Sequence, residues 1–306
     1  MRTEAYIITC KTNMHAGKGT ADQGVIDNLV QKDHTEELPC VYASSLKGAF
    51  REYFEEYVYS KTRNFTGEER LTQSKIDEIF GWSSNRLETE KKTLQNGDAQ
   101  MEESPKKGNY VFHDALLLSI PVRSNKQSFF QATSPMAIKR IVETLNTFGL
   151  SYKELDQFYA SIKDITENKT YVYGLPSITN DLQIEFFSGF DAKENNPLKN
   201  VFGDYLVVVH DETFKLLNED YNLPIVARNQ LENGESQNLF YEQIIPRQSK
   251  FFFVTNSLKD SVDFEHFLSK HVKDMPVQIG ANASIGYGFC HVLPLSATMK
   301  GGNKDE

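Results

Sequence analysis

Two groups suited to proton transfer, His15 and Asp27, flank a glycine-bearing stretch. It reads His15-Ala16-Gly17-Lys18-Gly19 and continues to Gly24-Val25-Ile26-Asp27-Asn28. An imidazole and a carboxylate on a flexible, solvent-reachable loop are candidates for acid/base work. Closely spaced glycines let backbone N–H groups approach an anion. The spacing matches neither GxxxxGK[ST] nor GxGxxG, so the stretch carries no nucleotide fingerprint. Its residues alone equally allow a glycine-rich turn with a surface histidine and a capping aspartate. His15, Asp22, Asp27 and His34 are permissible metal ligands, but not at a recognised spacing.

A second constellation is Ser44-Ser45-Leu46-Lys47-Gly48-Ala49-Phe50-Arg51. A helix beginning here would present free N–H groups and a partial positive charge, which suits phosphate. Ser44 and Ser45 add hydroxyls. Lys47 and Arg51, one turn apart, add charge on one side. Gly48 weakens a helix and hints at a backbone passing close by. The same residues also describe an ordinary capped amphipathic helix. A third segment, Gly280-Ala281-Asn282-Ala283-Ser284-Ile285-Gly286-Tyr287-Gly288-Phe289, can track a phosphate backbone or simply turn a hairpin. Aromatic and basic residues interleave at Phe240-Tyr241-Glu242 with Arg247 and along 128–140. Such surfaces stack bases, although core packing accounts for most aromatics. His113-Asp114, in a strand, suits structural hydrogen bonds, and no nucleophile elbow is present.

The elements that must position these residues follow from periodicity and breakers. Residues 3–12 read as a strand, 15–39 as a long loop, and 46–59 as a helix capped by Ser44-Ser45. Residues 61–108 read as a charged surface insertion with one short helical piece ending at Ile79-Phe80-Gly81. A strand is expected over 110–122 and helices over 136–148 and 152–162. Segment 169–204, with alternating polarity broken by Gly, Pro and Asn, reads as a projecting hairpin. A short strand follows at 205–210, then a strand pair at 239–245 and 250–255, a helix over 258–272, and two strands around Gly280 and at 287–293. The expected organisation is one domain over 1–294 and a flexible tail over 295–306. Hairpins outnumber ordered βαβ units, which predicts an α+β fold. Its expected centre is a ferredoxin-like (RRM-like) core with an antiparallel sheet.

The 306 residues, 39% hydrophobic and 12% aromatic, suffice for a sizeable core and exclude global disorder. The three cysteines, Cys10, Cys40 and Cys290, form no CxxC pair. They suggest neither a disulfide framework nor a zinc site, and a reducing cytoplasm suits them. No run is apolar for long enough to target or span a membrane, so no membrane partner is expected. A net charge of −9 by itself argues against nucleic acid. Yet Lys47, Arg51, Arg123, Lys139, Arg140, Arg228 and Arg247 fall in structured stretches, where a locally basic groove is open to them.

Taken in order, these segments resemble the RAMP superfamily of CRISPR-associated proteins, and more closely the backbone subunits of type III-B (Cmr) effector complexes. The resemblance runs through the His15, Asp27 and Ser44-Ser45 segments and Ile79-Phe80-Gly81. It continues through Phe112-His113-Asp114-Ala115, Pro121-Val122-Arg123-Ser124, and Thr133-Ser134-Pro135 with Lys139-Arg140. It ends on Leu239-Phe240-Tyr241-Glu242, Ile245-Pro246 and the loop holding Gly286 and Gly288. It implies a subunit that binds guide CRISPR RNA, stacks head to tail with further copies of itself, and assembles with other Cmr subunits. A hairpin thumb would kink the guide–target duplex, with 169–204 as the segment and Ile184, Phe186 and Phe187 as wedges. Asp27 would support cleavage of target RNA with a divalent metal, Mg²⁺ in class and Asp27 its ligand, and His15 would share acid/base duty. Ser44, Ser45, Lys47, Arg51, Arg123, Lys139, Arg140, Gly286 and Gly288 would contact RNA, with Tyr241 and Glu242 in support. The alternatives are a non-catalytic RNA-binding subunit of such a complex and a stand-alone guide-processing endoribonuclease.

Overall fold

The computed structural model describes residues 1–19, 25–81, 107–232, 235–259 and 261–299. Its strands are β1 (Arg2–Cys10), β2 (Cys40–Val41), β3 (Tyr110–Phe112), β4 (Ala115–Val122), β5 (Phe130–Thr133), β6 (Thr170–Tyr173), β7 (Phe190–Lys193), β8 (Leu206–Val208), β9 (Ile225–Glu232), β10 (Glu235–Gln243), β11 (Lys250–Ser257), β12 (Val277–Gln278) and β13 (Phe289–Pro294). All but β9 and β10 join one sheet, ordered β12-β13-β1-β11-β4-β5-β8-β6-β7, with β2 on β4 and β3 on β11. Helix α1 (Ala43–Tyr53) continues through a π-helical turn, Phe54–Val58, into α2 (Tyr59–Thr62). Then come α3 (Gln73–Phe80), α4 (Pro135–Thr147), α5 (Lys153–Ile162), α6 (Lys199–Phe202), α7 (Asp211–Leu217), α8 (Asp263–His271) and α9 (Leu295–Thr298).

The fold is α+β, as expected. At its centre β13-β1-β11-β4 are mutually antiparallel, with α1 between β1 and β4 and α8 between β11 and β13. That is the strand order of a βαββαβ unit with two split crossovers. The sheet is buried on both faces. Tyr6, Ile8, Phe251 and Phe253 alternate toward a core closed by α1, α3 and α8. Ala5, Ile7, Phe252 and Val254 point the other way, under α4 and α5. Phe264 of α8 meets Phe50 and Phe112 edge-on, both at 5.2 Å between ring centres. Such aromatic contacts add to the area they bury.

Several local expectations fail for physical reasons. Helix α1 begins at Ala43 with Tyr42 as its N-cap and no side-chain cap. Its first N–H donates instead to Asp114 Oδ1 at 2.6 Å, a partner distant in sequence. Asp114 also breaks the expected strand 110–122 into β3 and β4. The first part of the supposed surface insertion belongs to the core, since Leu71, Ile76, Ile79 and Phe80 are buried. The remainder, 82–106, lies outside the described residues, as do Asp22, Gly24 and the end of the tail.

Segment 169–204 is not a hairpin. Strands β6 and β7 run parallel, on the edge of the main sheet. A hairpin joins antiparallel strands, and alternation of polarity carries no record of strand direction. Ile184 is fully buried and Phe187 packs against the core, whereas Phe186 is exposed. The element that does stand apart is the β9–β10 ribbon, a separate two-stranded sheet paired from Ile225↔Gln243 to Glu232↔Glu235. Accordingly β10 pairs with β9 and β11 with β1, not β10 with β11.

A carboxylate at a helix N-terminus satisfies otherwise free N–H groups and favours the helix dipole. Asp114→Ala should therefore destabilise the protein by about 1 kcal/mol, as caps do. Denaturant unfolding checks this, with Asp114→Asn, which keeps an accepting oxygen, recovering most of the loss.

Candidate active site and RNA-facing surface

Three chain segments far apart in sequence meet at the foot of the β9–β10 ribbon. Most of β10 is exposed, and it becomes buried only at Glu242 and Gln243. Residues 13–19 cross beneath it: Met14 and Ile245 exchange backbone hydrogen bonds of 2.9 and 2.8 Å. The strand-like stretch ending in Val30 runs parallel to β10, bridging Asn28 to Glu242, and antiparallel to the first segment through Gly17 and Val30. The loop 280–288 closes from the third side, with Ala281 N–H donating to His15 O at 2.8 Å.

The side chain at the junction is Glu242, buried at 5% exposure. Its Oε2 accepts from Arg228 Nε and Nη2 at 3.1 and 2.9 Å. Both of its oxygens accept from Asn282 Nδ2, at 3.0 and 2.9 Å. His15 Nε2 lies 3.6 Å from Oε1. The Arg228 guanidinium in turn lies 4.7 Å from the centre of the Tyr287 ring. A buried carboxylate is tolerable only when paired and hydrogen-bonded, and here Arg228 and Asn282 supply the hydrogen bonds, with His15 beside them.

His15 is itself buried, with Nδ1 2.7 Å from Gln243 O. A carbonyl only accepts, so Nδ1 carries a proton, and Nε2, facing Glu242, pairs with it only when it carries one too. Two glycines make room for this ring. A Cβ on Gly17 would stand 2.8 Å from His15 Nε2, and one on Gly280 2.4 Å from His15 O. Gly17 of the first stretch thus serves close packing, whereas Gly19, at φ +79°, has nothing near it. In the third segment, Gly288 has φ +78° and a Cβ there would meet Ile279 O at 2.1 Å, whereas Gly286 opens onto free space.

Asp27 sits beside this network, against the backbone of Tyr241. Its N–H and that of Asn28 both donate to Tyr241 O at 3.1 Å. Its Oδ2 accepts the Tyr241 N–H at 2.7 Å. Oδ1 has no hydrogen-bond partner among the described residues. A hollow of about 350 Å³ opens at the following residue, Asn28, and is lined also by His15, Gly17, Lys18, Gly19, Leu29 and Ala281. No hydrogen bond or ion pair among the described residues joins His15 to Asp27. They share the hollow's neighbourhood, but His15 is committed to Gln243 and Glu242.

The phosphate-binding candidates divide. Gln31, itself buried, donates through Nε2 to Gly17 O and Ser45 Oγ, at 3.0 and 3.1 Å, and accepts the Tyr42 N–H at 2.7 Å. Ser45 is thereby turned inward, and the glycine stretch is fastened to the start of α1. Ser44 is exposed, and Gly48 faces open space on its helix. Lys47 is half-buried; burial, then the charges of Arg51 and Lys107, lower its pKa. Arg51 is locked to Glu55, to Gly81 O and to Asp77. Arg140 is held by Asp33, Glu36 and Leu117 O. Both guanidiniums brace the fold. Lys139 pairs with Glu143 on an exposed helix face. Arg123 pairs with Glu185 at the mouth of a cleft of about 970 Å³, which Phe129, Phe186 and Arg247 also line.

A family model for the RAMP superfamily matches residues 7–291. The chain belongs to the RAMP superfamily. Its sequence is 25% identical to the CRISPR system Cmr endoribonuclease Cmr4 of Pyrococcus furiosus, with 98% of each chain aligned. The fold resembles a subunit of the type III-B Cmr-beta complex bound to cognate target RNA, with a TM-score of 0.71 and 20% identity. That match covers 98% of this RAMP chain and 99% of the other. It also resembles the oligomeric Cmr4 of Pyrococcus furiosus, with a TM-score of 0.62 and 19% identity over 97% and 100% of the two chains.

Sequence reasoning reached His15, Asp27, Tyr241 and Glu242, but missed how they are joined. Arg228 was visible only as one more basic residue, and Asn282 as a turn residue. Asn282 sits in the left-handed region at φ 67°, a conformation asparagine tolerates better than most residues. Gln31 gave no signal, since its role depends on two segments being folded together.

Removing one partner of a buried ion pair leaves the other charge uncompensated, at a cost of roughly 3–5 kcal/mol. Arg228→Met should therefore lower stability by about 3 kcal/mol in denaturant unfolding. Arg123→Met, which breaks an exposed pair, should leave the unfolding midpoint almost unchanged.

Proposed function

We propose that this chain is the guide-RNA-binding backbone subunit of a type III-B CRISPR effector, and that it cuts bound target RNA with Asp27 at the reacting centre. The relative of Pyrococcus furiosus is named an endoribonuclease, and a structurally similar chain belongs to a complex bound to cognate target RNA. One observation carries the assignment of Asp27. Its carboxylate is anchored at the foot of the ribbon by one oxygen and keeps the other without a hydrogen-bond partner among the described residues, one residue before Asn28 on the wall of a hollow.

The chemistry suited to that geometry is attack of a ribose 2′-OH on the adjacent phosphorus. The bond to the 5′-oxygen breaks, leaving a cyclic phosphate, and the departing oxygen takes a proton from water to give a 5′-hydroxyl. The 2′-oxygen must come in line with the leaving oxygen, which a regular A-form helix disfavours. The β9–β10 ribbon, with exposed Leu239 and Tyr241, is the element shaped to wedge apart a duplex and impose that geometry. Asp27 Oδ1 accepts the 2′-proton. Lys18, exposed on the rim of the hollow, offsets the charge that develops on the phosphate. His15 orients Glu242 and the ribbon base, and Lys47 and Ser44 face the RNA backbone from α1.

The described residues contain no group of three or more His, Cys, Asp or Glu arranged to hold a metal ion. A divalent ion of the Mg²⁺ class would be held here by Asp27 Oδ1, which would then no longer be the proton acceptor. Bound there, it would supply Lewis-acid stabilisation of the phosphate. Further copies of the chain, head to tail, and other Cmr subunits complete the assembly. No helix among the described residues is long and apolar enough to cross a membrane.

Asp27→Asn keeps the oxygen that accepts the Tyr241 N–H but removes the negative charge. In assembled complexes it should bind target RNA as the wild type does and cut about 100-fold more slowly or worse. Cleavage at the wild-type rate by Asp27→Asn, with loss only in Asp27→Ala, would assign the residue to holding the ribbon. Normal cleavage by both variants would remove Asp27 from the chemistry.

A further inference from the structure

A row of polar side chains crosses the sheet on the face that carries the second core. Thr9 of β1 is the register partner of Lys250 on β11 and of His291 on β13, and Lys250 is opposite Ser119 of β4. Directly opposed residues of antiparallel strands point to the same face. Thr9 alternates with Ala5 and Ile7, and Lys250 with Phe252 and Val254, all of the core under α4 and α5. The apolar layer therefore stops at this level, and a polar row takes over. Ser119 Oγ continues it by donating to Gln131 Oε1 at 2.7 Å. Lys11, exposed just beyond the end of β1, overhangs the row.

The row is cationic and has no internal counter-ion. Lys250 Nζ donates to Thr9 Oγ1 at 3.1 Å, and that is its one hydrogen-bond partner among the described residues. An ammonium has three N–H groups to satisfy. Burial, reinforced by the charge of Lys11, lowers the Lys250 pKa to about 8, so the group is still a cation at neutral pH. The same two causes lower His291. Among the described residues no carboxylate lies within ion-pair distance of Lys11, Lys250 or His291. The half-buried arginines, by contrast, are neutralised from within, as Arg51, Arg140 and Arg228 show. A half-buried charge left without a partner is costly unless something outside the chain supplies one.

We propose that this row binds the phosphodiester backbone of a single-stranded stretch of RNA, with Lys250, Lys11 and His291 facing the phosphates and Thr9 adding a hydroxyl donor. Neighbouring strands are about 4.8 Å apart, so the donors form a line rather than a pocket. A line of donors suits a chain of charges better than a lone anion. The site rests on the reading that the protein binds RNA, but shares no residue with the network around Glu242 and Asp27.

The test is fluorescence anisotropy of a labelled single-stranded RNA on the purified full chain, titrated at several salt concentrations. Lys250→Met and Lys11→Met should each weaken binding several-fold and make the slope of log K against log salt shallower by about 0.7. Lys11 is exposed, so its variant remains informative if Lys250→Met melts early. Wild-type affinity and slope in both variants would overturn this site and leave the proposed function standing. Failure of the unmodified chain to bind RNA would overturn both. Variants that keep wild-type RNA binding but no longer assemble with an acidic subunit would overturn the site in favour of a protein contact.

Discussion

The buried carboxylate of Glu242 is the constraint on which the site depends. Burying a charge at 5% exposure is unfavourable by several kcal/mol unless its partners are in place. Its partners come from three places: Arg228 on β9, Asn282 on the loop before β13, and His15 on the segment after β1. None of the three can shift far without exposing the others' polar groups. The ribbon therefore has a rigid foot, although most of β10 is exposed. That rigidity passes to Asp27 through the Tyr241 backbone, one residue from Glu242.

The glycines acquire a physical meaning from the same junction. Gly17, Gly280 and Gly288 are needed because backbones or the His15 ring lie where a Cβ would be. An anion nest would have demanded free N–H groups at these positions. Much of the N–H and C=O capacity here is spent instead on bridging the segments, as in Ala281 to His15 and Lys18 to Leu29. The loops are thus built for closeness to each other.

How much was legible in the sequence follows the range of the interactions. Strand β1, helices α4 and α5 and the α+β class were readable because strand and helix periodicity are local. The cap of α1 was not, because Asp114 donates nothing to any local pattern and reaches Ala43 only in the folded chain. The projecting hairpin was placed in the wrong segment because alternation looks alike in β6–β7, which are parallel, and in β9–β10, which are antiparallel. His15, Asp27 and Glu242 could be named from an ordered pattern of short motifs. Their partners could not, since Arg228, Asn282 and Gln31 matter only through contacts at long sequence separation.

The net charge of −9 also reads differently once the pairs are known. Part of the acidic surplus is internal bracing: Asp33 and Glu36 hold Arg140, Asp77 and Glu55 hold Arg51, and Glu242 holds Arg228. Those carboxylates cancel cations that never face solvent freely, so they say little about the potential outside. Near the ends of β1 and α1, Lys11, Lys18, Lys47 and Lys250 have no carboxylate within ion-pair distance among the described residues. Fields of unpaired charge act over roughly a Debye length of 8–10 Å, so a phosphate backbone responds to such clusters rather than to the total. An acidic chain can present a cationic surface in this way, provided that its acids are spent on its own arginines.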